Sequence, residues 1–337
     1  MSAQSLNSDN SDNSDNSDKS ESSTPQRFAP EIDELLHSVK GKALGDRYIV
    51  SDILGVGGMS VVLMGRDILT NGPVALKTLK PSLNHEPFMV ARFQREIISL
   101  AKLDHPNVVG AQDCVSAESG QPFIVMEYLH GRTLEDLILQ EGRLSLARLN
   151  PIFQQVCLAL KHAHEQGVIH KDLKPANIML VAEGHKEVVK LFDFVLSKIL
   201  EEEPMRSTAK GTVVGSAAYM SPEQCRSENE HSIDERSDVY QIGAVMYEAF
   251  TGRVPFYKAK NTEILNKHIS EYPPCFATII PENPGPPVFE AVVFIAMAKS
   301  PEQRFQNMDE LKAALDAVFT GSPTVQARLL KRRLELE

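Results

Sequence analysis

Apolar residues cluster in short runs over residues 47–54, 60–66 and 73–79, broken by glycines and turn residues, and these runs predict three β-strands. Asn71-Gly72, between the last two, predicts a hairpin turn. Upstream, Ile32, Leu35, Leu36 and Val39 share one face of a short helix over 30–39, expected to pack on the domain that follows. Over 86–103 the spacing becomes helical, and strands are predicted again at 108–116 and 122–128. The first half therefore reads as a small lobe of five antiparallel strands with one main helix. After Gly131 the pattern is mostly helical. Leu149, Phe153, Val156, Cys157 and Leu160 mark a helix over 145–165, with Gly167 as its stop. Pro151 implies either a later start, with Asn150 as cap, or a kink. Further helices are predicted at 237–250, 262–269, 288–299 and 308–319. Residues 325–334 form a basic amphipathic stretch, read as a solvated helical extension rather than a docked one. The fold class is α+β with two lobes.

Residues 1–27 carry a repeated Ser-Asp-Asn unit and too little apolar surface to offset the entropy of ordering, so they are expected to be a disordered tail. The domain boundaries follow: tail 1–27, helix and lead-in 28–46, first lobe 47–128, second lobe 129–320, basic extension 321–337. The net charge of −10 argues against nucleic acid as a general partner. Cys114, Cys157, Cys225 and Cys275 form no C-x-x-C, which fits thiols in a reducing compartment. The longest nearly continuous apolar run, 288–298, is interrupted by Glu290 and falls short of the ~20 residues that a membrane span needs. With no secretory signal at the N-terminus, the expected location is cytoplasmic.

Four segments carry chemistry. Leu54-Gly55-Val56-Gly57-Gly58-Met59-Ser60-Val61-Val62 joins two strands. Glycines there let backbone N–H groups close over phosphates, while a dinucleotide fold would need a helix next. Lys77 ends Val74-Ala75-Leu76-Lys77 among apolar neighbours, and a buried lysine needs a carboxylate partner. Glu96, on the following helix, can supply it. His170-Lys171-Asp172-Leu173-Lys174-Pro175-Ala176-Asn177 packs acid, ammonium and amide into one loop between a helix and an apolar strand. Asp193 ends the strand Val189-Lys190-Leu191-Phe192, a position suited to a hard cation such as Mg²⁺.

These four segments, in this order, resemble the eukaryotic-type (Hanks-type) serine/threonine protein kinases, in the style of the bacterial members. Leu103-Asp104-His105-Pro106-Asn107, Gly215-Ser216-Ala217-Ala218-Tyr219-Met220-Ser221-Pro222-Glu223 and Ser237-Asp238-Val239-Tyr240-Gln241 agree with that family, and the resemblance spans residues 47–319. It implies a bilobal protein-kinase fold and transfer of the ATP γ-phosphoryl group to Ser/Thr hydroxyls of proteins. Mg²⁺ is the implied ion, with Mn²⁺ as its alternative. Residue by residue, Gly55, Gly57 and Gly58 would cover the phosphates, and Leu54, Val56, Met59 and Ser60 would belong to the same ATP-binding loop. Lys77 would hold the α- and β-phosphates and Glu96 would position it. Asp172 would orient the acceptor hydroxyl and take its proton, and Lys174 would contact the transferring group. Asn177 and Asp193 would bind metal. Val62, Ala75 and Met179 would sandwich adenine, backbone groups of Glu127 and Leu129 would bond its edge, and Met126 would stand behind as gatekeeper. Glu223 would pair with Arg304, and Asp238 would anchor the catalytic loop. Lys174 and Ser216 resemble the serine/threonine branch rather than the tyrosine branch.

Three positions depart from the family pattern. Ser60 replaces the third glycine, with little effect expected. Lys171 replaces the arginine before Asp172 and offers a point charge where a bidentate grip is usual, which weakens control by a phosphate on the activation segment. Val195 replaces glycine, and a β-branched residue resists positive φ, so rearrangement of Asp193 and Phe194 should be restricted. Lys171 and Val195 motivate an alternative, a pseudokinase that binds ATP as a signalling scaffold. Thr212 and Thr208 are expected autophosphorylation sites. Homodimerisation, as in some bacterial relatives, is left open.

Overall fold

The computed structural model describes residues 28–194, 216–226, 233–257 and 260–336. The Ser-Asp-Asn tail, Val195, Thr208 and Thr212 lie outside the described residues.

Helix α1 (Pro30–Val39) leads through β1 (Ala43–Leu44) into β2 (Tyr48–Val56), β3 (Ser60–Asp67) and β4 (Pro73–Leu79). Then come α2 (Pro87–Leu100), β5 (Ala111–Ser116) and β6 (Pro122–Glu127). The sheet runs β1-β2-β3-β4-β6-β5, all neighbours antiparallel. It thus has six strands rather than the five expected. The extra one is two residues long, too short for alternation to reveal it. Residues 108–110, expected as strand, instead cross to the second lobe. The hairpin turn is as expected: Asn71 takes φ 60° and Asp67 N–H donates to the Gly72 carbonyl at 2.9 Å.

Strand alternation divides this sheet cleanly. Val61, Leu63, Val74, Leu76, Phe123 and Val125 point to one face, where Ile32, Leu35 and Val39 of α1 cover them in one buried cluster. Val62, Ala75, Lys77, Ile124 and Met126 point to the other face, toward α2 and the cleft. Arg47 and buried Asp67 form a two-bonded ion pair at the end of the sheet, 3.0 and 2.8 Å.

The second lobe begins with β7 (Gly131–Thr133), α3 (Leu134–Glu141) and α4 (Leu146–Glu165). Helix α4 starts at Leu146, where the Ser145 side chain accepts from Arg148 N–H, so Pro151 lies inside it and the later start at Asn150 is not what forms. Strands β8 (Ile178–Glu183) and β9 (Lys186–Leu191) complete a second sheet, β7-β8-β9. The remaining helices are α5 (Pro222–Cys225), α6 (Glu235–Thr251), α7 (Asn261–Ser270), α8 (Phe276–Ile279), α9 (Pro287–Ala296), α10 (Met308–Thr320) and α11 (Pro323–Leu334). Nearly all of α6 is buried and the other helices pack around it. Helix α11 is docked, not solvated as expected: Leu329 is buried, and the Arg333 guanidinium lies 4.0 Å from the centre of the Phe294 ring. Among the described residues no helix is long and apolar enough to cross a membrane.

The lobes are tied behind the cleft by Asn107. Its side chain donates to the Val189 carbonyl (2.8 Å) and to Gln155 (2.9 Å). Its carbonyl accepts from Leu191 N–H, and Leu191 accepts in turn from Val109 N–H, each at 2.8 Å.

Candidate active site between the lobes

The roof of the cleft follows from strand register. Val62 lies opposite Lys77, and Ala75 opposite Met126, so these four side chains share a face. Above them the β2–β3 turn carries the glycines, and Gly57 N–H donates to the Ser60 carbonyl at 2.8 Å. Leu54, Val56 and Met59 on this hairpin are large apolar side chains left exposed. Met179 of β8 is half-buried on the opposite lobe, two residues after Asn177. Glu127 ends β6, and its carboxylate accepts from Lys190 Nζ at 2.8 and 3.0 Å, which leaves its backbone as the group available at the hinge. Leu129 follows in the hinge, half-buried.

Lys77 is 7% exposed and its ammonium touches two carboxylates, Glu96 at 2.5 Å and Asp193. Burial alone would lower the lysine pKa, but Asp193 and Glu96 more than offset it, so the ammonium is held charged. The Lys77 ammonium in turn holds the Asp193 carboxyl below its usual range. Phe194 packs into the core beneath the His170 ring, centroids 4.6 Å apart, which anchors the chain next to Asp193.

The loop after α4 brings the second group of residues. Lys174 Nζ donates to Asp172 at 2.7 Å and to Ser216 Oγ at 3.3 Å. Asn177 Nδ2 donates to the Asp172 carbonyl at 2.8 Å. The loop is pinned from below by Asp238 of α6, which is fully buried. It accepts from His170 N–H (2.9 Å), Lys171 N–H (2.8 Å) and the His164 ring (2.7 Å). Burial would raise the Asp238 pKa, but the His164 hydrogen bond and its charge outweigh that and the carboxyl is lowered. His170 is pushed down by burial and is neutral: Nδ1 accepts from Asp172 N–H and Nε2–H donates to the Phe192 carbonyl at 3.2 Å. Glu223 and Arg304 pair through two bonds of 2.8 and 2.7 Å, with Ser237 donating to Glu223 at 2.6 Å. Arg304 is fully buried and also serves the carbonyls of Ala298, Arg236 and Lys299.

A metal here would meet hard oxygen donors. Asp193 is an ionised carboxylate, and Asn177, its amide nitrogen committed to Asp172, offers its oxygen. Among the described residues no group of three or more acidic, His or Cys side chains is assembled.

Lys77, Glu96, Asp172, Lys174, Asn177 and Asp193 therefore meet in one cleft, from β4, α2, the catalytic loop and the end of β9. Sequence reasoning missed three supports. Gln241 accepts from Leu173 N–H (3.0 Å) and donates to the Lys171 carbonyl (2.9 Å). Gln224 donates to the same carbonyl (2.8 Å), and His164 holds Asp238. Gln241 lies one helical turn after Asp238, so the motif already contained the signal. His164 gave none, since it follows the apolar stripe of α4 without any partner nearby in sequence.

A β-rich lobe over a helical one, with a paired lysine in the roof and an acid-amide loop in the floor, defines a two-lobed fold with a polar cleft between its lobes. The chain belongs to the protein kinase family: the protein kinase domain matches residues 48–313. It is similar to serine/threonine-protein kinase PknB of Mycobacterium tuberculosis, 38% identical over 299 residues that cover 85% of this chain and 45% of that protein. PknB of Mycobacterium leprae is 39% identical over 294 residues, with the same shares. The chain thus spans less than half the length of these curated relatives. The solved kinase domain of Mycobacterium tuberculosis PknI has the same fold, with a TM-score of 0.62 at 24% identity over 83% of this chain and 98% of that one. The expected two-lobed kinase fold and the bacterial serine/threonine-type resemblance are thus both borne out.

Proposed function

We propose that this domain transfers the γ-phosphoryl group of ATP to serine or threonine hydroxyls of proteins, its own chain among them. The observation that carries this reading is the buried Lys77 ammonium held between Glu96 and Asp193 in the same cleft as Asp172, Lys174 and Asn177.

Adenine stacks between Val62, Ala75 and Met179, its edge bonded to the backbone of Glu127 and Leu129, with Met126 behind. When nucleotide enters, Lys77 exchanges Asp193 for α- and β-phosphate oxygens and keeps Glu96. Asp193 and Asn177 would hold a divalent cation such as Mg²⁺, which would supply charge neutralisation for the triphosphate. Asp172 orients the acceptor hydroxyl and takes its proton as the acceptor oxygen–phosphorus bond forms and the bond to the β-phosphate oxygen breaks, releasing ADP. Lys174 meets the charge on the transferring group. The contact of Ser216 with Lys174 supports the serine/threonine assignment. The catalytic domain works in the cytoplasm, where ATP and reduced thiols coexist.

Autophosphorylation with labelled ATP, read by phosphoamino-acid analysis, tests the proposal. Phosphoserine and phosphothreonine are expected in wild type and loss of signal in Lys77→Met. Equal labelling of both would refute it. Thr212 and Thr208 are the proposed acceptors, and mass spectrometry finding that segment unmodified after incubation with ATP–Mg²⁺ would reject them.

A further inference from the structure

His105 and His162 lie side by side behind the cleft, and neither has a part in the chemistry described so far. His162 projects from α4, while His105 sits in the loop 101–107 that joins α2 to the lobe-tying Asn107. Their rings are stacked, centroids 5.2 Å apart and planes 26° from parallel. Each ring uses one nitrogen to hold the backbone of this loop. His162 Nε2 accepts from Asp104 N–H at 3.3 Å, and His105 Nδ1 accepts from Asn107 N–H at 3.1 Å. A backbone N–H can only donate, so both nitrogens carry a lone pair and both rings are neutral.

A second proton undoes this arrangement. It turns an acceptor into a donor aimed at a backbone N–H, and two protonated rings repel across the stack. The charged groups around the pair do not favour that proton. Burial, then His162 and Lys190, hold His105 below the ordinary histidine range. Lys190 lies on β9, and its ammonium is taken up by Glu127 of β6 at 2.8 Å. Beside His162 on α4, Lys161 bonds Asp309 of α10, and Glu165, one turn on from His162, engages Lys161 at 3.9 Å. The Asp104 side chain is exposed to solvent.

We propose that His105 and His162 are a positioning pair for the nucleotide cleft, a pH-sensitive bracket that holds the lobes in register while both rings are neutral and releases them in acid. The inference rests on the kinase reading of the cleft. Asn107 carries the effect. Its N–H is the donor to His105, its carbonyl accepts from Leu191 N–H, and its side chain donates to the Val189 carbonyl. Protonation of His105 therefore loosens the residue that ties the lobes, and protonation of His162 frees Asp104, three residues before it. Helix α2, which carries Glu96, leads into the same loop. In acid the binding-competent arrangement becomes a fraction of the population, and the apparent nucleotide affinity falls by that fraction.

The test is affinity for the β,γ-imido analogue of ATP with Mg²⁺, by titration calorimetry at pH 7.5 and pH 5.5. Wild type is compared with His162→Gln, which keeps an acceptor for Asp104 N–H without titrating, and with His162→Phe, which keeps the stacked ring alone. The expected result is that wild type and His162→Gln bind alike at pH 7.5, and that acid weakens wild type by about threefold or more beyond its effect on His162→Gln. His162→Phe should bind more weakly at pH 7.5 and share the shallow pH dependence of His162→Gln. Parallel weakening of all three chains by acid overturns the proposal, since the loss then belongs to the nucleotide or to other groups. Variants weaker than wild type by the same factor at both pH values make His162 a structural brace alone, which overturns it as well. Should wild type bind no nucleotide at pH 7.5, the kinase reading falls and the bracket with it; should it bind there with no difference from the variants in acid, only the bracket falls.

Discussion

Lys171 and Asp193 are the two site residues with left-handed backbone, φ 63° and 65°. Neither is glycine, and such geometry costs about 1–3 kcal/mol unless neighbours enforce it. At Lys171 the neighbours are Asp238 on its N–H and Gln224 and Gln241 on its carbonyl. At Asp193 it is the ion pair with Lys77. Asp238→Ala should therefore release the catalytic loop: urea unfolding should show a loss of about 3–5 kcal/mol, because buried donors lose their acceptor, and kcat should collapse with it. The sequence anticipated positive φ as an issue at Val195, which lies outside the described residues; among the described ones Asp193 adopts it. Lys77, Asp172 and Asn177 were legible because chemistry demanded those residue types in a tight pattern. His164 and Gln224 were not, because each matters only through partners far away in the chain.

Helices α1 and α7 show what packing adds at the next scale. Helix α1 lies outside the matched kinase domain, yet Ile32, Leu35 and Val39 close the outer face of the first sheet. Glu31 also accepts from Ser82 N–H at 3.1 Å, just before α2. Ile32→Ala should cost about 2–4 kcal/mol in denaturant unfolding, as for a buried aliphatic side chain removed from a core. The helix was legible from its apolar spacing, whereas β1 was too short to signal itself. In α7, His268 is fully buried against Tyr240 and Phe256. Burial, and then Lys299 nearby, push its pKa down to about 3. In an unfolded chain it titrates near ~6.5. Between those values the unfolded state binds the proton and the folded state does not, so stability should fall as pH drops below ~6.5, by up to about 1.4 kcal/mol per pH unit. Thermal unfolding from pH 7 to pH 5 checks this, and the slope should be shallower in His268→Phe. His105 and His170, also lowered by burial, supply the remainder.

Across the whole molecule, the two lobes must hold Lys77 and Glu96 above Asp172 and Asn177 while leaving room for a nucleotide. Asn107 is the fixed point behind the cleft, bonded to Val189 and Gln155. Asn107→Ala strands the Val189 carbonyl and should cost about 1–3 kcal/mol, with a raised KM for ATP as the lobes lose their register. Its place in Leu103-Asp104-His105-Pro106-Asn107 was visible in the sequence, but its reach across to β9 was not, because a long-range hydrogen bond leaves no period in the chain. The docking of α11 was misread for a related reason. Its basic residues suggested solvent, yet Arg332 bonds the carbonyls of Gln303 and Arg304 and Arg333 covers Phe294, so their stems pack while their charges are met.

The central claim is that Asp172 acts on the acceptor hydroxyl in a cleft that Lys77 and Asp193 have already prepared. The most direct measurement is kcat for phosphorylation of a generic basic protein by wild type and Asp172→Asn at saturating ATP–Mg²⁺, with the nucleotide Kd measured alongside. The account predicts that kcat falls by about 10²–10⁴-fold while the Kd changes little. An Asp172→Asn protein that phosphorylates at the wild-type rate would contradict it.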